Sequence, residues 1–401
     1  MRLAAKQVEQ RLRVKLNKSI VSKGDNVTGI MTFGENNDYP QTIERLINGS
    51  KTAKAISRIY ARFLTGFGFE NEAINDVVVG KDSRGKNVTL KRLLRNVAIS
   101  RAYHAGSYIH CSPTLERKIA AVKLVPFKYC RFNKIDDTGY ASKIGVYSNW
   151  DKNPDQKYNI KNITFFPIFN LNENVFKSQI ANTKGDTIEQ KIKNYKGQIY
   201  FDFVDDQFLY PLSPFDPVYL DCDTEQQVSM FKNNMTRNGM LKKTVLRLAE
   251  PSNDEEAREL EEEIERWMGT DGASTVTLYD ELDNETGEIK KSGAFAIDSI
   301  DSNINDKLFE SWEKSLTNDI RKPFNIPALL IDYEESKLGT TSGEAIIQAT
   351  KFYNAITSDD RASLSEMFKE IFSHWIDPIL SDNQNWNIKP LSLYENEQPA
   401  S

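Results

Sequence analysis

The sequence predicts an α+β fold in which a mixed N-terminal half gives way, beyond a proline-marked boundary near residue 217, to long amphipathic helices. Three observations carry this. Between residues 108 and 166, short runs of β-branched and aromatic residues alternate with Gly, Asn, Asp and Pro, the composition of an antiparallel sheet. Pro211, Pro214 and Pro217 exclude regular structure where they stand. From about 303 to 322, Ile304, Leu308, Trp312, Leu316 and Ile320 recur at strict four-residue steps, a stripe that needs a neighbouring helix.

Composition sets the frame. A chain of 401 residues, 39% hydrophobic and 27% charged, buries a sizeable core and is long enough for two or three structural units. No apolar run reaches the length of a membrane span or of a signal peptide's apolar region, so no membrane partner is expected and assembly in the cytoplasm is. Cys111, Cys130 and Cys222 are too far apart for a zinc knuckle and read as reduced, buried thiols. A formal net charge of −5 argues against a tight phosphate clamp, which takes clustered Lys and Arg.

In chain order, residues 1–24 form a basic arm, with seven Lys or Arg against Glu9. It reads either as a frayed terminus or as a contact for an acidic partner. From Tyr39 to Leu64 the spacing of Ile43, Leu46, Ile47, Ile56, Ile59, Tyr60 and Phe63 predicts two helices, broken at Asn48-Gly49-Ser50. Phe67–Val79 reads as extended and Leu90–Ser100 as a helix with Leu90, Leu93, Leu94 and Val97 inward. Strands are expected at Tyr108–Cys111, Ala121–Val125, Ile144–Tyr147 and Ile163–Phe166. Asn170–Lys196 has no strong period and reads as a surface insertion.

Past the prolines, a helix over 224–238 closes at Asn238-Gly239. Another follows Pro251, its apolar face Ala257, Leu260, Ile264, Trp267 and Met268, its other face bearing eight acids against two bases between Asp254 and Arg266. That face meets either bulk solvent or an aqueous channel. Thr275–Tyr279 and Gly293–Ile297 read as strands flanking an acidic turn. Residues 329–343 form a loop ending in the capping box Thr341-Ser342-Gly343-Glu344. The last helices bury Ile346, Ile347, Phe352, Tyr353 and Ile356, then Leu364, Met367, Phe368, Ile371, Phe372 and Trp375.

Catalytic signals are few. His104, His110 and His374 show no HxH or HExxH spacing, and no phosphate loop, dinucleotide fingerprint or nucleophile elbow occurs. Asp202, Asp205, Asp206, Asp221 and Asp223 could gather a divalent metal, with solvated turns as the alternative, whereas Asp280, Asp283, Glu285 and Glu288 lack calcium-loop spacing and read as a hairpin turn. Neither a cofactor nor a resident metal is expected.

Five stretches stand in a characteristic order: Phe33-Gly-Glu-Asn-Asn-Asp-Tyr-Pro40, Ile43–Ser50, Tyr210-Pro-Leu-Ser-Pro-Phe215, Phe231 through Asn238-Gly239, and Ile320-Arg-Lys-Pro-Phe-Asn-Ile-Pro-Ala-Leu-Leu330. Together they resemble the portal proteins of tailed phages, the HK97-like family, and most closely those of Bacteroidetes phages and prophages. In order and spacing the resemblance covers most of the chain from about residue 30 to 380. The resemblance implies a non-enzymatic portal fold: a wing at 25–222, stem helices at 223–238 and 303–325, a clip at 239–302, a tunnel loop at 326–343 and a helical wing or crown region at 344–401. It implies a virion ring, commonly of twelve subunits. The ring's partners would be the major capsid protein, terminase, head-completion adaptor and tail proteins, with transient contact to double-stranded DNA. Carried over by position, Asp332, Glu334, Glu335, Ser336 and Lys337 face the channel, Glu261, Glu262 and Glu263 the clip lumen or docking face, and the Ile304 to Ile320 stripe packs the stem. The short tail after Ser381 leaves little for a crown. The alternatives are another phage head or tail structural protein and a metal-dependent nucleic-acid enzyme built on Asp202–Asp223.

Overall fold

The computed structural model describes residues 24–25, 28–137, 139–150, 162–205, 208–238, 243–248, 281–282, 289–290, 295–300, 306–331 and 340–392. The expected basic arm, the acidic helix after Pro251, the strand at Thr275–Tyr279 and the loop residues Asp332 to Lys337 lie outside them. The chain divides into two compact units, Met1–Cys222 with Thr317–Ser401, and Asp223–Leu316.

In the first unit, α1 (Tyr39–Gly49) and α2 (Lys51–Thr65) meet at Ser50, which ends one helix and caps the other by accepting a hydrogen bond from the Ala53 amide at 3.0 Å. Ile43, Ile47, Ile56 and Leu64 are fully buried, as their spacing requires. Gly66 ends α2 at φ +51, and any Cβ there would collide with the Lys389 carbonyl oxygen. The segment after it is not wholly extended: Asn71 caps a single helical turn, Glu72–Asn75, by accepting from the Ala73 amide. β1 (Val78–Lys81) and β2 (Asn87–Thr89) form a hairpin, and Thr89 caps α3 (Leu90–His104). Its inward face is Leu90, Leu93, Leu94 and Val97.

Two antiparallel sheets follow, and no strand order closes into a barrel among the described residues. β3 (Gly106–Pro113) lies between β4 (Ile119–Val125) and the later β8 (Gln198–Phe203), with Tyr108 opposite Val125 on one side and Phe201 on the other. β5 (Cys130–Phe132), β6 (Lys143–Val146) and β7 (Thr164–Pro167) form the second, in sequence order. The aperiodic insertion is helical: α4 (Glu173–Ala181) buries Phe176 and Ile180, while α5 (Ile188–Asn194) buries nothing. Two buried residues in one short helix are too few to make a period visible beneath so much polar sequence.

Two long helices follow in this unit, α8 (Thr340–Ile356) and α9 (Ser358–Phe372), before a single turn at Pro378–Ser381. The face of α9 carrying Leu364, Met367, Phe368, Ile371 and Phe372 completes a core with Phe69, Leu93, Leu94, Trp375 and Trp386. Expected burial on α8 holds for Tyr353 but fails for Phe352, which is 59% exposed, and for Ile356. The 3.6-residue period locates an apolar face but not which part of it meets its own chain. Cys111, Cys130 and Cys222 are buried, and none of the three is in a disulfide.

The division between units falls within α6 (Tyr219–Asn238) and α7 (Asp306–Arg321). In the second unit β9 (Lys243–Leu248) pairs antiparallel with β10 (Phe295–Ile300), and Glu281–Leu282 pairs with Ile289–Lys290. The strand expected at Gly293–Ile297 thus begins later, and its partner β9 had no sequence assignment.

Candidate assembly helices and buried polar networks

Of the predicted stem stripe, Ile304 lies outside the described residues and Leu308 falls in α7. Trp312 is 46% exposed, whereas Leu316 and Ile320 are buried. Lys232 of α6 and Glu313 of α7 form an ion pair at 2.9 Å within the second unit. Met230 and Phe231, the two residues before that lysine, are exposed apolar residues on α6. Both helices therefore present large apolar side chains to their surroundings in the single chain, a condition that association relieves. Glu261, Glu262 and Glu263, and the five loop positions Asp332 to Lys337, are outside the described residues.

The acidic group considered for metal is not assembled. Arg101, 1% exposed, donates to the Asp202 carboxylate at 2.5 Å, to the Asp360 carbonyl at 3.0 Å and to Ser363 Oγ at 3.2 Å. Asp202 is thereby the counter-ion of a buried guanidinium joining α3, β8 and α9. Burial, and then the like charge of Asp319, push the Asp221 carboxyl above the usual carboxylate range. Asp206 lies outside the described residues. Among those described, no three His, Cys, Asp or Glu side chains gather as metal ligands.

A second network centres on Glu44. Its carboxylate accepts from Lys128 Nζ at 2.7 Å and lies 3.5 Å from His104 Nε2. Burial alone would raise the Glu44 carboxyl, but hydrogen bonds from His104 and Lys128 outweigh it and hold it low. Burial lowers His104 below its ordinary value, with Glu44 opposing. The imidazole stacks on Phe127 at 4.5 Å. Nearby, the fully buried Arg131 guanidinium lies 5.6 Å from the rings of both Phe33 and Trp150 and donates to Asn37. Sequence reasoning assigned no role to Arg101, His104, Glu44, Lys128 or Arg131. Arg101 and His104 did leave a signal, since they continue the apolar face Leu90, Leu94, Val97 by helical steps; Glu44, Lys128 and Arg131 left none.

No helix among the described residues is long and apolar enough to cross a membrane. No protein-family model matches the chain, and no curated protein matches it. Among solved structures, a chain from the virion of a native gene transfer agent particle is similar at 12% identity and TM-score 0.45, covering 84% of this chain and 81% of that one. A chain from the neck of a native gene transfer agent particle computed with C12 symmetry is similar at 10% identity and TM-score 0.43, with the same coverage of 84% and 81%. An HK97 family phage portal protein from Corynebacterium diphtheriae is similar at 9% identity and TM-score 0.39, covering 76% and 83%. At these identities and TM-scores the likeness assigns no function to this chain.

Proposed function

We propose that this chain is the subunit of a tailed-phage portal ring, a non-catalytic conduit at one capsid vertex through which double-stranded DNA is packaged and ejected. The observation that carries the reading is the course of the chain through its two units. It passes out of the first within α6, builds a separate strand-bearing segment, and passes back within α7. Stem helices bracketing a clip require that connectivity, and two of the stretches that resemble portals meet these helices, Phe231 to Asn238 within α6 and Ile320-Arg321 at the end of α7. In this assignment residues 25–222 are the wing, 223–238 and 303–325 the stem, 239–302 the clip, 326–343 the tunnel loop and 344–401 the C-terminal helical region.

The partners are further copies of the chain, twelve in a ring, with the major capsid protein, terminase, head-completion adaptor and tail proteins around it. The virion is the location, assembly takes place in the host cytoplasm, and kinship is with portals of Bacteroidetes phages. A formal charge of −5 suits a conduit, since a duplex must slide through rather than adhere. Heterologous contacts that close on themselves generate such rings.

Negative-stain images of the purified chain are expected to give closed rings of high rotational symmetry, with a matching mass by light scattering. A monodisperse monomer at micromolar concentration and moderate salt overturns the assignment. Open or irregular particles favour another head or tail structural protein instead.

A further inference from the structure

The insertion 170–196 has no part in the reading above. In the fold, α4 and α5 lie beside β7 and leave a groove of about 1210 Å³ lined by both. β7 is the outer strand of its sheet, bonded to β6 on one side. Just past it, Ile168 bridges Ile199 in parallel and closes that end. An outer strand offers unpaired amides and carbonyls to a further strand, and residues Thr164–Pro167 line this groove. Pro167 has no amide to give, so a ladder there uses its carbonyl alone.

The charge of the groove is one-sided. Lys143, Lys184 and Lys196 line it, all exposed, while no Asp or Glu lines it among the described residues, in a chain whose formal charge is −5. None of the three lysines makes an ion pair within the described residues. Phe165, 36% exposed, and the half-buried Tyr195 supply apolar surface between them.

We propose that this groove docks an extended acidic peptide segment of a partner protein, which adds as a fourth strand along β7 and sets its carboxylates against Lys143, Lys184 and Lys196. Main-chain bonds to the strand edge supply affinity, and alternate side chains reach Phe165 and Tyr195. Single-stranded nucleic acid would meet the same lysines but leave the strand edge unused, which is why a peptide is the occupant. The site does not depend on the ring assignment.

The test uses the full chain and a fluorescein-labelled peptide of alternating Glu and Val, read by anisotropy. Binding is expected, with a loss of about tenfold or more in the triple variant Lys143→Glu, Lys184→Glu, Lys196→Glu, as three surface charge pairs would give. N-methylation of alternate peptide amides should weaken binding by a similar factor without touching the protein. Should the charge-reversed variant lose its circular dichroism signal, the Lys→Gln triple replaces it, with a smaller loss expected. Three results overturn the proposal: no binding at about 1 mM peptide, equal binding of methylated and unmethylated peptide, or tighter binding of oligothymidylate than of the Glu peptide.

Discussion

Replacing Asp202 with Ala isolates the most consequential charge in the first unit. The Arg101 guanidinium is 1% exposed, and its Nε has no hydrogen-bond partner. Two of its bonds, to the Asp360 carbonyl and to Ser363 Oγ, survive the change, but both acceptors are neutral. Removing one partner of a buried pair destabilises by roughly 3 to 5 kcal/mol because an uncompensated charge stays inside. The two surviving bonds place the effect at the low end, about 3 kcal/mol. The shift is read in urea from the fluorescence of Trp150, Trp375 and Trp386, all buried in this unit; with a slope of about 3 kcal/mol/M, the midpoint falls by roughly 1 M. Arg101→Met removes the charge itself, so the double variant should be more stable than Asp202→Ala alone. A midpoint shift below about 0.3 M, or a double variant as unstable as the two single losses combined, refutes the argument. Magnesium- or manganese-dependent cleavage of nucleic acid, lost on Asp206→Ala, would instead revive a metal-dependent role for these aspartates.

Acidification should destabilise the first unit through His104 and Glu44 together. His104 titrates lower in the fold than its ordinary 6.5, so the unfolded chain takes up the proton first and stability declines as pH falls below about 6.5. The held-down Glu44 carboxyl adds a loss at lower pH, below its ordinary 4.5. His104→Asn should flatten the decline between pH 7 and 5 in urea titrations at stepped pH; an unchanged slope sinks the assignment. For Trp312→Ala, an indole 46% exposed in the single chain implies a loss of about 1 to 2 kcal/mol in monomer stability, with a larger fall in the ring fraction measured by sedimentation. Reversing Glu261, Glu262 and Glu263 to Lys should leave rings intact while impairing terminase or connector binding, and unchanged phage yield would remove that role. Shortening Glu334 to Thr340 should spare ring assembly yet reduce packaged DNA, counted as full particles.

What could be read from the sequence was what short-range chemistry decides. Ser50 between two apolar stripes marks a helix junction because cap and stripe are local, and Phe368 with Phe372 marks an inward face for the same reason. Long-range pairing left no such mark: β8 joins β3 across the whole of the second sheet, and Asp202 meets Arg101 from a hundred residues away. Phe352 and Ile356 show the limit differently. Their spacing correctly signals an apolar helix face, but burial depends on a neighbour that the described residues do not supply. The candidate stem is half legible on the same grounds: the stripe is there, and Leu316 and Ile320 are its buried end.

The discontinuity of the first unit bears on how the protein is made. Its core needs Phe368, Phe372 and Trp386 against Phe69, and the Trp375 backbone bridges Ile119 in parallel. None of these late residues exists when the ribosome has finished Cys222. At about 5 to 20 residues per second, the roughly 160 residues that lead from there to Trp386 take on the order of 10 to 30 seconds. Throughout that interval Leu93, Leu94 and Phe69 lack the cover that α9 provides. The nascent chain is therefore a natural client for a holding chaperone, and slow codons downstream of residue 222 should lower soluble yield even though they alter no amino acid.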